Sequence, residues 1–247
     1  GMSTATRDAM TGKTWAGMSP EFQAECIAYA AGDAEKCYRI WTEHGHKWPE
    51  QEIALSRHTM MMTLRGIGVD RVRVEEGIQI LTSALWDIEK RIPWAGTVNA
   101  KGKEITVMSR NALMAECAAR GIPVPLTTAD KSPLFDAWMD KYEAQADFVA
   151  AVKEYRSANR TLEVLKKFWS QARDDGRLRY SLKYFGAHTG RWSGDAGLNF
   201  QNLTKRKIAG VDIRACLVPG PGRKFIVADL SQIEARVALW FADDQVQ

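Results

Sequence analysis

The stretch that decides the fold is RVRVEEGIQILTSALWDIEKRI, residues 71–92. Its apolar side chains recur in alternating steps of four and three residues, at Val74, Ile78, Leu81, Leu85, Ile88 and Ile92. Because an α-helix turns once every 3.6 residues, this spacing places them all on one face. Pro93 follows directly and predicts the end of the helix. The stretch therefore predicts a long helix with a narrow apolar seam.

A second stretch carries the same kind of seam, and Gly176 predicts its end. The members of this seam are Phe148, Val152, Tyr155, Leu162, Leu165, Trp169 and Ala172. Two long helices with narrow apolar seams most simply pack against each other. Residues 94–142 between them are expected to form a tip of loops and short helices. Within this tip, Ser109 is a candidate N-cap for a helix that ends at Gly121.

The residues before the first seam predict two more helices, over 20–41 and about 50–65. Gly66 is expected to stop the second of these helices. Residues 66–70, GIGVD, then read as a short extended segment.

After Gly176 the pattern changes from helical to extended. Apolar and polar residues alternate over 178–184, which predicts a half-buried strand. Pro219-Gly220-Pro221-Gly222 predicts a turn, and the apolar run 225–228 predicts a central strand buried on both faces. Ser231 is a possible cap for a helix that begins near Gln232. The expected fold class is therefore mainly α with a small β component (α+β).

Charge is unevenly distributed along the chain. The whole chain has a formal net charge of +4, whereas residues 176–242 hold eleven Lys/Arg and four Asp/Glu, a local net charge of +7. The rest of the chain is therefore mildly acidic. A basic segment of this kind favours a polyanionic partner such as DNA. A basic face that is merely solvated is equally compatible with the charge alone.

Several classes of protein and site are disfavoured by the sequence. The longest apolar run, residues 237–242, is too short to span a bilayer, and no secretory signal is recognisable. The cysteines form no CxxC pair, which favours reduced thiols and a cytoplasmic location. Cys37, His44 and His46 lack a fourth ligand, so no zinc site is expected.

One carboxylate stands where a metal ligand could be. Asp229 follows the apolar run directly, at the predicted transition from strand to helix. Phosphoryl transfer needs such anchors, because Mg²⁺ binds a few carboxylates and keeps positions for phosphate oxygens and water. A lone Asp at a strand end is more often a helix cap.

Five segments resemble the family-A DNA polymerases, in particular those of bacteriophages. Residues 229–236, DLSQIEAR, match the motif A pattern D-x-S-Q-I-E-x-R. Residues 189–193 and 198–204, TGRWS and LNFQNLT, resemble the signature T-G-R-x-S … N-x-Q-N-L/I-P, with Thr204 in place of proline. Residues 155–156 resemble a Tyr-Arg segment of the thumb. Residues 29–33, YAAGD, fit the Y-x-x-x-D motif of the proofreading 3′–5′ exonuclease.

The resemblance implies three regions and a partner set. Residues 1–48 would be the end of the exonuclease domain, 49–175 a helical thumb with its tip at about 94–142, and 176–247 the start of the palm. The implied function is template-directed nucleotidyl transfer by a DNA-directed DNA polymerase with Mg²⁺. The implied partners are primer–template DNA, a dNTP, and either a complementary polymerase chain or a second copy.

The resemblance also implies residue roles. Asp229 would bind both Mg²⁺ ions, with the Leu230 carbonyl as another ligand, and Glu234 would be the steric gate against a 2′-hydroxyl. The implied DNA-binding residues are Thr189, Arg191, Gln201, Asn202 and Arg236. Tyr29 and Asp33 would be a remnant of the exonuclease site. A surface ion pair for Arg191, and loop-stabilising amides for Gln201 and Asn202, stay open as alternatives.

The sequence contains no His-Asp-Glu motif with the facing carboxylate and no family helix that grips the triphosphate, and no D-x-E pair lies ahead of Tyr29, where the family's first exonuclease motif stands. We therefore expect this chain, taken alone, to have neither polymerase nor exonuclease activity. Alternatives are a non-catalytic DNA-binding module, or one half of a split polymerase.

Overall fold

The computed structural model describes residues 4–129, 132–195 and 197–242. Helices hold 56% of the residues and strands 8%, which confirms the predicted class, mainly α with a small β component. The chain divides into two compact units, residues 1–61 and 62–247. No helix in the described ranges is both long and apolar enough to cross a bilayer.

The first unit is helical. It contains α1 (Thr4–Met10), α2 (Pro20–His44) and most of α3 (Glu50–Arg65), with 3₁₀ turns at Trp15–Gly17 and Gly45–Lys47. Helix α2 begins after Ser19, whose hydroxyl accepts a hydrogen bond from the Phe22 N–H at 3.3 Å. The two predicted helices are confirmed, and α2 continues three residues beyond its predicted end.

Two long helices form the centre of the second unit, α4 (Arg71–Glu89) and α7 (Asp147–Gln171). They pack on each other through the predicted seam of α4 and through Leu162 and Leu165 of the second seam. The prediction for Trp169 is wrong, because this residue is 40% exposed and Phe168 lies in the core instead. Their shared core contains Val74, Leu81, Leu85, Ala158, Leu162, Leu165 and Phe168. Helix α4 ends at Glu89, before the end that Pro93 predicted, and the last seam residue, Ile92, lies in the turns that follow.

The tip between these helices has a core of its own. It contains α5 (Arg110–Ala119) and α6 (Pro133–Tyr142), and the predicted cap is confirmed, since the Ser109 hydroxyl accepts the Ala112 N–H at 3.4 Å. The tip core includes Trp94, Leu113, Cys117, Phe135, Met139, Phe148, Val149 and Val152. Helix α7 therefore serves two cores, with its first turns in the tip and its later turns against α4.

Short strands close the base of the second unit. Strands β1 (Ile67–Val69), β2 (Arg177–Leu178) and β5 (Leu217–Val218) form an antiparallel sheet in the order β2–β1–β5. Strands β3 (Ser181–Lys183) and β4 (Ser193–Asp195) pair separately. The single strand predicted over 178–184 is therefore wrong. The chain changes partner within it, from Ile67 at Leu178 to Asp195 at Ser181.

The prediction of a buried central strand over 225–228 is also wrong. This segment has no regular structure, and Ile226 and Val227 are 95% and 89% exposed. A strand needs neighbours that take up its N–H and C=O groups, and none of the strands in the described ranges pairs with it. Helix α8 (Ile233–Phe241) follows as predicted, but its N-cap is Gln232, at φ +51°, and not Ser231.

Candidate functional site

Arg191 lies in the loop between β3 and β4, and local contacts fix its backbone. The Ala187 N–H donates to the Arg191 carbonyl at 3.0 Å, and the Gly190 N–H donates to the Ala187 carbonyl at 2.9 Å. Gly190 has a φ of +78°, a conformation that favours glycine. On the other side, Trp192 packs edge-on against Tyr184, with ring centroids 5.8 Å apart. The Arg191 side chain itself remains 64% exposed.

The Arg191 side chain forms an ion pair with Glu234. The contact joins a guanidinium Nη2 to a carboxylate Oε1. Glu234 stands in the first turn of α8, where a negative charge interacts favourably with the helix dipole. Two residues that belong to different sequence motifs, 43 positions apart, therefore meet in space. The surface ion pair that remained open for Arg191 is what the structure shows.

The loop that carries Gln201 and Asn202 is anchored by its neighbours. The Asn199 carboxamide oxygen accepts the Gln201 N–H at 3.0 Å and caps the 3₁₀ turn Phe200–Asn202. The Phe200 ring stacks on Phe168 of α7, with centroids 5.7 Å apart. Both Gln201 and Asn202 are exposed. The amide that stabilises this loop is thus Asn199, and the two predicted amides are at the surface.

Two grooves flank this loop. One, of about 510 Å³, runs between α7 and the loop and is lined by Arg160, Val164, Phe168, Asn199 and Asn202, among others. The other, of about 520 Å³, contains Tyr180, Gln201, Arg214 and Phe225 in its wall. Each predicted amide therefore opens onto a groove that also contains an arginine.

Sequence reasoning missed three residues that hold this surface in place. Asn199 and Phe200 lie inside the N-x-Q-N pattern, and an Asn two residues before its hydrogen-bond donor is a recognised turn signal. Arg214 donates from Nη2 to the Leu203 carbonyl at 2.9 Å. No local pattern marks Arg214, because its partner lies 11 residues away and is a backbone atom.

Asp229 and Leu230 lie in the irregular segment before α8. Both residues are exposed, with Leu230 at 71%. Their hard oxygen donors fit Mg²⁺ in chemistry, but one carboxylate and one carbonyl are a minority of the six ligands that the ion prefers. Across residues 4–129, 132–195 and 197–242, no group of three or more His, Cys, Asp or Glu side chains is arranged to hold a metal.

The remaining predicted DNA-binding residues are also exposed. Thr189 lies in the turn before Gly190, and Arg236 lies in α8, where its N–H donates to the Gln232 carbonyl at 3.0 Å. Arg236 is two residues from Glu234 and therefore points to a different side of α8.

Tyr29 and Asp33 are one helical turn apart on α2. Hydrogen bonds from the Tyr29 side chain and from the Lys36 ammonium hold the pKa of the Asp33 carboxyl below its ordinary value. The Lys36 Nζ lies 3.2 Å from Asp33 Oδ1. The predicted pair is thus in contact within the first unit.

Arg156, from the Tyr-Arg segment, is directed into the tip core. Its guanidinium lies over the Phe135 ring, 4.6 Å from the centroid, and Nη1 lies 3.2 Å from Asp136 Oδ1. Only 7% of its side chain is exposed. Arg156 therefore joins α7 to α6 and stabilises the tip.

Comparison with known proteins places the chain in a family. The sequence model described as DNA polymerase family A matches residues 95–246, more than half of the chain. This chain belongs to DNA polymerase family A. The resemblance noted in the sequence is thereby confirmed.

Two curated relatives are similar over shorter stretches. One is DNA polymerase I of Chloroflexus aurantiacus, 41% identical over 28% of this chain and 7% of that protein. A second is the DNA polymerase of Bacillus phage SP02, 31% identical over 29% of this chain and 15% of that protein. The chain thus spans a small part of the length of either relative.

A solved structure shows the same fold. It is the POL domain of Pol1 from M. smegmatis in complex with DNA primer-template and dNTP. The TM-score is 0.62 at 24% sequence identity, over 78% of this chain and 34% of that chain. The helical arrangement described above is therefore a family-A polymerase fold.

Proposed function

We propose that this chain supplies a DNA-contacting surface and part of the palm of a DNA-directed DNA polymerase that acts by template-directed, two-metal nucleotidyl transfer. The observation that carries the proposal is the contact between Arg191 and Glu234. It joins the T-G-R-x-S segment to motif A within a basic stretch of a family-A chain. The regions proposed are an exonuclease remnant over 1–48, a thumb over 49–175 and the start of the palm over 176–247.

The exposed polar groups of residues 176–242 suit DNA of any sequence. Guanidinium and amide groups bind phosphate oxygens and minor-groove acceptors without reading a particular sequence. We assign this role to Thr189, Arg191, Gln201, Asn202 and Arg236. The related M. smegmatis domain was solved with primer-template DNA and dNTP, which supports the same partners here.

The nucleotide side of the site is assigned to motif A. The Asp229 carboxylate and the Leu230 carbonyl would hold Mg²⁺, which neutralises phosphate charge when it is bound. Glu234 would stand against the sugar of the incoming nucleotide and exclude a 2′-hydroxyl. Completion of such a site requires a second carboxylate that faces Asp229.

The DNA-binding part of the proposal is tested by titration of fluorescent primer–template DNA at several salt concentrations. The affinity should fall as salt rises, because bound phosphates release counterions. Arg191→Gln should weaken binding and reduce the salt slope. Arg39→Gln, which removes the same charge from an exposed position of α2, should change neither. Affinity that does not depend on salt would contradict the proposal.

The catalytic part is tested by primer extension with Mg²⁺ and all four dNTPs. We expect no product from this 247-residue chain, because its sequence contains no His-Asp-Glu motif to supply the facing carboxylate. An active family-A polymerase in a parallel reaction is the positive control. Extension by the chain alone would show that its own residues suffice.

One observation favours a partner chain. The segment from Phe225 to Phe241 exposes large apolar side chains, including Ile226, Val227, Leu230 and Trp240. Apolar surface of this kind marks protein interfaces. A complementary polymerase chain would cover it and supply the rest of the palm, whereas a second copy would cover it without supplying the facing carboxylate.

A further inference from the structure

Arg191 and Glu234 carry opposite charges and are each assigned to a different ligand. Arg191 is assigned to DNA, and Glu234 to the nucleotide sugar. In the structure they bind each other. A guanidinium that is paired with a carboxylate presents fewer donors to a phosphate, so the two contacts compete.

We propose that Glu234 competes with DNA for the Arg191 guanidinium and thereby restrains DNA binding in the free chain. This inference rests on the proposed function, since it requires that Arg191 contacts DNA. It adds a role for Glu234 in DNA affinity that is separate from nucleotide selection.

The geometry allows the exchange of partners without a change of fold. The backbone at Arg191 is held by the hydrogen bonds of the 187–191 turn and by the packing of Trp192 on Tyr184. Glu234 is held on the first turn of α8. Only the two side chains have to rotate for Arg191 to leave the carboxylate and bind a phosphate.

The exposure of the pair makes the restraint weak and reversible. The Arg191 and Glu234 side chains are 64% and 77% exposed. Ion pairs in such surroundings contribute little, and salt screens them. The expected restraint on DNA affinity is therefore about two- to fivefold at low salt.

The test is a cycle of four proteins: the unmodified chain, Glu234→Gln, Arg191→Gln and the double variant. The dissociation constant for a fluorescent primer–template is measured for each at low and at higher salt. Glu234→Gln should tighten binding about two- to fivefold at low salt. In the Arg191→Gln background the same substitution should have a much smaller effect. The gain should shrink as salt rises.

A matched control separates the restraint from a general gain of positive charge. Glu163 pairs with Lys166 on α7 at 3.0 Å, and both side chains are 53% exposed. Glu163→Gln changes the net charge by the same amount at another exposed ion pair. It should tighten binding less than Glu234→Gln does. Circular dichroism of every variant checks that the fold is kept.

The outcomes distinguish this inference from the proposed function. If Arg191→Gln weakens binding but Glu234→Gln does not strengthen it, the proposed function stands and the inference is wrong. An equal gain from Glu234→Gln with and without Arg191 would also overturn the inference. If none of the variants binds DNA, the proposed function itself fails, and the inference with it.

Discussion

Burial sets the reactivity of the cysteine thiols. Burial among apolar neighbours, with nearby Asp70 as a second cause, raises the pKa of Cys216 to about 11. Burial also raises the pKa of Cys117. Cys26 is buried as well, whereas Cys37 is exposed on α2. The reactive species is the thiolate, so exposure favours Cys37, whereas burial and a raised pKa slow the reaction of Cys117 and Cys216.

We predict that one thiol reacts rapidly with an aromatic disulfide reagent in the native chain. At pH 8 a thiol with a pKa of about 11 is roughly one-thousandth thiolate, so Cys216 should react slowly even where the reagent can reach it. Cys37→Ser should remove the fast phase. In denaturant all four thiols should react. Rapid release of more than one equivalent from the native chain would contradict the burial described here.

The candidate residues were found by pattern, but their contact was not. Arg191 and Glu234 each stand in a short motif, and such motifs can be recognised from local sequence. Their ion pair depends on the path of the 42 intervening residues, which no local pattern specifies. Asp229 was expected at the end of a strand, but the segment before it forms no strand. A strand is formed by its neighbours as much as by its own residues.

Two glycines in the middle of helices illustrate how packing changes the effect of a substitution. At Gly77 of α4, an added Cβ would lie 2.8 Å from Leu165 Cδ1 and 3.2 Å from Val211 Cγ1. At Gly32 of α2, no atom beyond the adjacent residues and the local helix backbone lies within 4 Å of an added Cβ. Alanine is otherwise preferred over glycine in a helix by about 1 kcal/mol.

We predict opposite effects of the same substitution at these positions. Gly32→Ala should stabilise α2 by up to about 1 kcal/mol. In Gly77→Ala, overpacking against Leu165 should cost about 1–3 kcal/mol, because Leu165 is fully buried and cannot move freely. The helix preference for alanine offsets up to about 1 kcal/mol of this cost, so the second unit should be destabilised by the difference. Thermal unfolding followed by circular dichroism measures both. A stabilising Gly77→Ala would show that α4 and α7 are less closely packed than described.

Elements with a strong period were predicted well, and short extended segments were not. The seams of α4 and α7 were visible because their apolar residues repeat over five or more turns. Strands β2 and β3 span only two and three residues, so alternation over 178–184 did not reveal the change of partner. The run 225–228 has strand composition, yet it has no pairing strand in the described part of the chain.

At the scale of the whole molecule, the segment 225–241 leaves several large apolar side chains in solvent. Ile226, Val227, Trp240 and Phe241 are each at least 74% exposed. Transfer of such groups out of water is favourable by about 25 cal/mol per Å². The surface therefore favours association with another chain.

We predict that the purified chain self-associates in a concentration-dependent way. Analytical ultracentrifugation should show species larger than 27.7 kDa as the concentration rises. Ile226→Asp should shift the equilibrium towards the monomer, because it places a charge in the apolar surface. Leu126→Asp, at an 86% exposed position of the tip, should leave association unchanged. A chain that remains monomeric at every concentration would contradict the prediction of self-association.

Helix α7 has a consequence for how this fold tolerates change. Its first turns pack in the tip core and its later turns pack on α4, with Ile88 and Tyr155 touching both cores. Insertions in the exposed loops of residues 94–142 would therefore change the distal end, and the register of α4 on α7 would survive them. The length of the tip loops is therefore free to vary in evolution without a change in the packing of Phe200 on α7.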